Sequence, residues 1–193
     1  MYPTLKDLKT YLSIETNKDD SLLTSKLTQA TVSFENIVGG RKFVSDALTT
    51  KIFYSNQNNF TDTKTFFFLD DCCHVETLTI NNNIVNPNHY IVFDSNQTPL
   101  TKIMLLNICP YNFSNYSVIE DFSTIQIEGH WSYSIKCPED VHGAIIRFAS
   151  WLYNQKDNAA DYDKPVAFTM LSRLPVGIPS DVVFTAQTYM RYF

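Results

Sequence analysis

Residues 129–142, GHWSYSIKCPEDVH, bring together the side-chain types that nucleophilic catalysis requires. A catalytic triad needs a nucleophile, a base within hydrogen-bond reach and a third group that orients the base. One hypothesis for function is therefore a cytoplasmic Cys/His hydrolase centred on Cys137. The candidate groups are the nucleophiles Ser132, Ser134 and Cys137, the bases His130 and His142, and the carboxylates Glu139 and Asp140.

The same stretch also has the pattern of a joint between a strand and a helix. A thiol at a helix N-terminus has a lowered pKa, which favours Cys137 as a nucleophile. However, Pro138 follows it directly, and His142 lies five positions on, about one and a half helical turns away, so that it points away from the thiol. No G-x-S-x-G elbow presents a serine. The joint is the favoured interpretation, and no catalytic residue is predicted.

The segment DDCCHVE, Asp70 to Glu76, is a second candidate for chemistry, because Cys72, Cys73 and His74 are possible metal ligands. Structural zinc sites use paired ligands at C-x2-4-C spacing together with a second pair. The two remaining cysteines, at positions 109 and 137, lie singly. We interpret the segment as a turn before a strand, and predict neither a metal nor a cofactor.

Composition indicates a well-packed chain with little affinity for nucleic acid. The 193 residues are 44% hydrophobic and 14% aromatic, which suits one domain with an inserted or appended subdomain. The net charge is -5 and no long Lys/Arg run occurs, so tight binding to nucleic-acid phosphates is disfavoured. A chain past which DNA must slide could nevertheless carry such a charge. No leader segment or membrane span is recognised, and we expect free thiols in a cytoplasm.

Apolar periodicity predicts two N-terminal helices. Leu5, Leu8 and Leu12 share one helical face after the start signals at residues 3 and 4. A longer helix runs from about Asp19 to Val38, with acidic residues at its start and Gly39-Gly40 at its end.

From residue 41 to about 135 the apolar period becomes close to two, which predicts an antiparallel sheet or small sandwich of five to seven strands. A monomeric β-sandwich binding module carried on helices is therefore a further alternative for function. In STIQIEGHWSY the alternation predicts one face inward, with Trp131, and the other outward, with His130 and Ser132.

A third helix is predicted from Pro138 to about Gln155. Its polar positions, Gly143, Arg147, Ser150 and Asn154, form one narrow stripe, and the rest is apolar. Such a helix must be buried on several sides, which suggests a neighbouring subunit.

The tail beyond this helix has a long aperiodic stretch, followed by a short helix from about Ser180 to Tyr189. It ends in residue types that are favoured at interfaces. Both features are typical of a binding arm.

The predicted fold class is α+β: a helical core of three helices with an inserted antiparallel β subdomain and an extended C-terminal arm ending in a short helix. We predict N-terminal helices of the core in residues 1–43, the β subdomain in 44–135, the central helix in 136–156 and a docking arm in 157–193.

The order of these pieces resembles the head-tail connector (adaptor) proteins of tailed bacteriophages. In that family an early D-D-x-L-L-x-x-x-L-x-x-A helix ends in G-R-x-F, a G-x-W/G-x-Y strand leads through P-x-D-I/V into an Ala-rich helix, and an L-P-x-D-V and Y-R-x signature closes the chain. The matching residues are Asp19, Asp20, Leu22, Leu23, Leu27, Ala30 and Gly40 to Phe43, then Gly129, Trp131, Tyr133, Pro138, Asp140, Val141, Ala144, Ala149 and Tyr153, and finally Ile178, Pro179, Asp181, Val182, Tyr189 and Arg191.

The resemblance implies a structural virion protein without catalysis or cofactor. It implies a homo-oligomeric ring of twelve subunits at the head-tail interface, assembled in the host cytoplasm. The ring is docked on the portal protein, receives a tail-side stopper or tail completion protein, and extends a channel through which DNA passes without sequence-specific binding.

Two sets of site residues follow from the resemblance. Residues 173–193 are expected to dock on the portal, with the contacts Arg173, Leu174, Pro179, Asp181, Tyr189, Arg191, Tyr192 and Phe193. The second and third helices are expected to pack subunit against subunit, through Leu27, Phe34, Ile146, Arg147, Phe148, Trp151 and Tyr153.

Overall fold

Helices and antiparallel strands make up the regular structure. The computed structural model describes residues 1–45, 47–54, 66–93, 95, 98–111, 113, 124–155 and 178–190. The helices are α1 Leu5–Leu12, α2 Asp20–Ile37, α3 Glu139–Asn154 and α4 Ser180–Thr188. The strands are β1 Leu48–Tyr54, β2 Phe66–Cys72, β3 His74–Ile80, β4 Asn83–Ile84, β5 Tyr90–Phe93, β6 Leu100–Leu105 and β7 Thr124–His130. The predicted α+β class, with its short C-terminal helix, is confirmed.

The chain divides into two compact units. The helical unit consists of residues 1–41 and 136–193, and the β unit consists of residues 42–135. Among the described helices, none combines the length and the apolar character that crossing a bilayer requires.

Local signals fix both ends of the N-terminal helices. Thr4 and Asp7 form a capping box at α1: the Asp7 N–H donates to Thr4 Oγ1 at 3.3 Å, and the Thr4 N–H donates to the Asp7 carboxylate at 2.8 Å. Helix α2 is followed by Gly39 and Gly40, whose φ angles of 86° and 77° are accessible to glycine at little cost.

The acidic residues at the start of α2 make contacts to other helices instead of capping their own. Asp19 is the N-cap residue, but its side chain makes no cap hydrogen bond. It accepts a hydrogen bond from the Tyr153 hydroxyl on α3 at 2.5 Å. Asp20 pairs with Lys9 of α1 at 2.7 Å. The start of α2 is thereby tied to both of its neighbours.

Helix α3 is the central helix of the helical unit and contacts α1, α2 and α4. In the single chain α3 is already covered by α1, α2 and α4, so its burial does not by itself require a neighbouring subunit. Ser150 was expected on the polar stripe but is also buried, whereas Gly143, Arg147 and Asn154 are exposed. The buried residues are Val141, Ala144, Ile145, Ile146, Phe148, Ala149, Ser150 and Tyr153.

Two antiparallel sheets form the β unit, with strand orders β1-β7-β3-β4 and β2-β6-β5. Strand β7 pairs with β1 and β3, so that Gly129 lies opposite Thr49 on one side and Val75 on the other. A Cβ atom at Gly129 would lie 2.3 Å from the carbonyl oxygen of His74, so the close approach of β3 requires glycine here. Both sheets contribute to one core: Phe53, Phe67, Cys72, Leu78, Ile80, Val85, Leu100, Ile103, Phe113, Ile125, Ile127 and Trp131.

The alternation of β7 holds as far as the strand itself. Ile125, Ile127 and Trp131 are buried as expected, and His130 is half-buried. The outward orientation predicted for Ser132 is wrong, because this residue is fully buried. Strand β7 ends at His130, and the period of two fails at Ser132, two residues beyond that end.

The segment that enters the β unit and the segment that leaves it lie side by side. The Tyr133 N–H donates to the Lys42 carbonyl at 2.7 Å, and the Ser134 N–H donates to the Phe43 carbonyl at 3.2 Å. The rings of Phe43 and Tyr133 also lie with their centroids 5.8 Å apart. The two ends of the β unit are therefore held together by its own hydrogen bonds.

Candidate interface of the helical unit

Helix α4 packs on α3 with two of its side chains, Val182 and Ala186, buried. Polar contacts fix both of its ends. Near its start, Asp181 forms an ion pair with Arg147 of α3. After its end, the Tyr189 hydroxyl donates to the Asp140 carboxylate at 3.0 Å. Since Asp181 lies by the middle of α3 and Tyr189 by its start, the two helices run antiparallel.

A third polar contact ties the end of α4 to the end of α2. The Arg41 guanidinium donates to the Tyr189 carbonyl at 2.9 Å. A cation at the last carbonyl of a helix also interacts favourably with the helix dipole. Arg41 belongs to the G-R-x-F motif and Tyr189 to the closing Y-R-x signature, so the fold brings two distant motifs into contact.

Of the eight residues predicted to dock on the portal, the structure describes three. Pro179 is the N-cap residue of α4, and Asp181 and Tyr189 contact the chain's own α3. The other five lie outside the described residues: Arg173, Leu174, Arg191, Tyr192 and Phe193.

Phe184 is an exposed residue of α4 that sequence analysis did not single out. Its side chain is 71% exposed, on the helix face opposite to Val182 and Ala186. The spacing of the two buried residues, four positions apart, was the available signal, because it places Phe184 between them on the outer side. Aromatic side chains, including phenylalanine, are enriched in the cores of protein–protein interfaces.

The seven residues predicted to pack between subunits lie on α2 and α3. Five of them are buried within this single chain, and only Arg147 and Trp151 retain appreciable exposed surface. A direct contact with a neighbouring subunit needs exposed surface, so it is available at these two positions. The buried residues are Leu27, Phe34, Ile146, Phe148 and Tyr153.

The catalytic-looking residues of 129–142 are not arranged as a triad. Burial raises the pKa of the Cys137 thiol to about 11, so that the thiolate is scarce at neutral pH. His142 Nε2 lies 3.8 Å from the Asp7 carboxylate of α1. The buried Ser132 hydroxyl donates to the Ser134 carbonyl at 3.1 Å, and Glu139 and Asp140 begin α3. This geometry counts against a hydrolase centred on Cys137.

The candidate metal ligands of residues 70–76 make structural contacts. Cys72 and Cys73 are buried, and burial raises the pKa of the Cys72 thiol to about 11. Asp70 pairs with Lys51 at 2.9 Å, and the His74 ring lies 3.1 Å from the Glu76 carboxylate. In the part of the chain that the structure describes, no three His, Cys, Asp or Glu side chains are grouped to hold a metal ion.

A protein-family model matches the N-terminal third of the chain. Residues 2–63 match the family model of phage gp6-like head-tail connector proteins. The resemblance to head-tail connectors is confirmed over this segment. It spans α1, α2 and β1, and includes the motif from Asp19 to Phe43. Arg41, whose side chain contacts the Tyr189 carbonyl, belongs to this motif.

Two solved structures share the fold of this chain over nearly its whole length. One is described as the "Neck of empty GTA particle computed with C6 symmetry"; it is 13% identical, has a TM-score of 0.59, and the match covers 99% of this chain and 90% of that one. The other, the "Neck of native GTA particle computed with C12 symmetry", is 12% identical with a TM-score of 0.51, covering 98% and 88%. At these identities the likeness establishes the fold. No curated protein matches the chain.

Proposed function

We propose that the chain is a structural virion protein, a head-tail connector that forms a homo-oligomeric ring at the neck of a phage-like particle. The observation that carries this proposal is the agreement of two comparisons, a connector family match over residues 2–63 and a neck-protein fold over 99% of the chain. The ring docks on the portal, receives a stopper or tail completion protein, and joins capsid to tail. We propose twelve subunits, a number compatible with both symmetries, C6 and C12, used for the two similar necks.

The distribution of charge supports a channel that DNA traverses without being gripped. The helical unit carries eleven basic and eleven acidic residues, whereas the β unit carries four basic and nine acidic ones. The whole net charge of -5 therefore belongs to the β unit. Phosphate binding needs clustered Lys and Arg, and neither unit has an excess of them.

We further propose that residues 173–193 contact the portal. Asp181 and Tyr189 contact α3 in the subunit, so the free surface of this segment within the described residues includes the outer face of α4 with Phe184. The remaining contacts are assigned to Arg173 and Leu174 and to the last three residues, Arg191, Tyr192 and Phe193.

Ring formation with the portal tests this function. The chain is co-expressed with the portal protein of the same particle, and complexes are imaged by negative-stain electron microscopy. We expect stacked rings, with connector and portal in one complex by size-exclusion chromatography and light scattering. A stable monomer that does not bind the portal would overturn the proposal.

A set of C-terminal substitutions tests the docking surface. Replacing Arg191, Tyr192 and Phe193 by alanine is expected to weaken portal binding at least tenfold in a pull-down, without changing the circular dichroism of the subunit. The matched control replaces Tyr11, an exposed aromatic residue on α1, and is expected to bind as the wild type does. Equal binding by both variants would remove the docking role of these three residues.

A further inference from the structure

The contact between α4 and α3 defines which surface α4 recognises. It combines the buried Val182 and Ala186 with polar contacts at each end, to Arg147 and to Asp140. Every one of these groups belongs to this sequence. The partner that fits α4 is therefore an α3 helix of this chain, whether in the same subunit or in a second copy.

The connection between the two helices is much longer than contact within one subunit needs. Arg147 lies eight residues before Gln155, the C-cap residue of α3, and eight residues of helix are about 12 Å long. Antiparallel neighbouring helices are normally joined by about 2–8 residues. Here residues 156–177 lie between Gln155 and the start of the α4 segment, and such a length can extend over roughly 70 Å. The excess length is sufficient to reach a neighbouring subunit.

The energetics also allow exchange, because α4 holds to its own α3 weakly. A helix of nine residues is unstable alone, and only two of its side chains are buried. The Arg147 and Asp181 side chains are 51% and 43% exposed, and ion pairs at such positions contribute little. The same groups are available on every copy of the chain, so that in a closed ring each subunit can give one α4 and receive one.

We propose that in the assembled ring α4 of each subunit binds α3 of the neighbouring subunit. This inference rests on the proposed ring. In this arrangement α4 links two subunits, and the ion pair joins Arg147 of one subunit to Asp181 of the next. The arrangement also explains how α3 contributes to subunit packing. The helix that covers part of its apolar surface, α4, would come from the neighbouring subunit.

Engineered cysteines at the ion pair distinguish the two arrangements. In a Cys109→Ser background, which leaves three buried native thiols, one tagged subunit carries Arg147→Cys and an untagged one carries Asp181→Cys. The two are mixed, assembled with the portal and oxidised. We expect a tagged–untagged dimer on non-reducing gels, at least tenfold above a control in which Lys6→Cys, exposed on α1, replaces Arg147→Cys.

A double variant, Arg147→Cys with Asp181→Cys, gives the complementary readout. Binding between subunits yields a ladder of linked chains up to the full ring, whereas binding within a subunit yields a monomer-sized band whose internal disulfide is detected by mass spectrometry. Rings with only internal disulfides and no mixed dimer would overturn the inference and leave the proposed function intact. Absence of wild-type rings in the presence of portal would overturn both.

Discussion

At the scale of single residues, the joint at 129–142 shows how catalytic residue types serve structure. The Trp131 indole N–H donates to the Thr49 carbonyl at 3.0 Å, and the Lys51 ammonium lies 4.3 Å from the centre of the Trp131 ring. The buried Ser132 hydroxyl lies 3.3 Å from Cys73 Sγ. These contacts hold the end of β7 against β1 and β3. Loss of any of them is expected to change stability and assembly, not turnover.

Gly129 supplies the clearest prediction at this scale. Gly129→Ala is expected to lower the free energy of unfolding by about 2–3 kcal/mol, because the new methyl group would overlap the His74 carbonyl and push β3 away from β7. Urea denaturation followed by circular dichroism measures the change.

Gly143 is the matched control for that substitution. It lies on the exposed stripe of α3, where an added Cβ meets nothing within 4 Å. Gly143→Ala is expected to stabilise the chain by about 0.5–1 kcal/mol, since alanine has the higher helix propensity. Equal effects of the two substitutions would contradict the close approach at Gly129.

At the scale of elements, helix ends depend on short-range chemistry. Two hydrogen bonds from Thr4, the one from its side chain first, hold the pKa of the Asp7 carboxyl below its usual value of 3.8. An acid whose pKa is lowered by folding stabilises the folded state above its unfolded pKa, and this contribution is lost as the pH falls through the folded pKa. The capping box of α1 is therefore complete at neutral pH and weakens in acid.

Thr4→Ala tests the capping box. The substitution is expected to cost about 1 kcal/mol at neutral pH, and the difference from wild type should shrink as the pH falls below 3.8. Thermal unfolding across a pH series measures both effects. Thr10→Ala on the same helix is the control, because that hydroxyl donates only to the Lys6 carbonyl one turn back, and we expect no loss there. A pH-independent difference would show that Asp7 takes no part.

The elements that sequence predicted well are those with local signals. The helix bounds agree closely with the sequence because Thr4, the glycine pair at 39 and 40, and Pro138 act within a few residues of the helix ends. The pattern Thr4-x-x-Asp7 also encodes the capping box. The two-residue strand β4 was missed because it is too short for a period to be detected.

Contacts between distant segments were not predictable from pattern. The order β1-β7-β3 joins strands separated by the whole β unit, and no local signal encodes it. The same holds for the contacts of Arg147 with Asp181 and of Tyr153 with Asp19, which join residues 34 and 134 positions apart. The sequence indicated these residues only as polar or aromatic positions on helices. Which partner each contacts depends on the packing of α2, α3 and α4.

At the scale of the whole molecule, the β unit is chemically distinct from the helical unit. Among the described residues its core cluster runs from residue 53 to residue 131, and the unit carries all of the net negative charge. Its ends are joined by hydrogen bonds from Tyr133 and Ser134 to Lys42 and Phe43. A region with its own core and adjacent ends has the properties of an independently folding domain.

We predict that residues 42–135 fold as an isolated fragment. The expected result is a single cooperative urea transition and a circular dichroism spectrum dominated by strands. A fragment that begins at residue 55 lacks β1, which pairs with β7 and contributes Phe53 to the core, and should not unfold cooperatively. If the longer fragment also lacks a cooperative transition, the β unit depends on the helical unit for its stability.

The adjacent ends of the β unit also affect how this chain tolerates change in length. Because Lys42 and Tyr133 are neighbours in space, the two points at which the sequence enters and leaves the β unit lie side by side. Their separation is that of a pair of antiparallel backbones, about 5 Å. Insertions in the turns of the β unit that keep its strands and these hydrogen bonds intact are expected to leave that separation unchanged. Length variation can therefore accumulate in this part of the chain, and foreign segments can be grafted there, without a compensating change in α1 to α4.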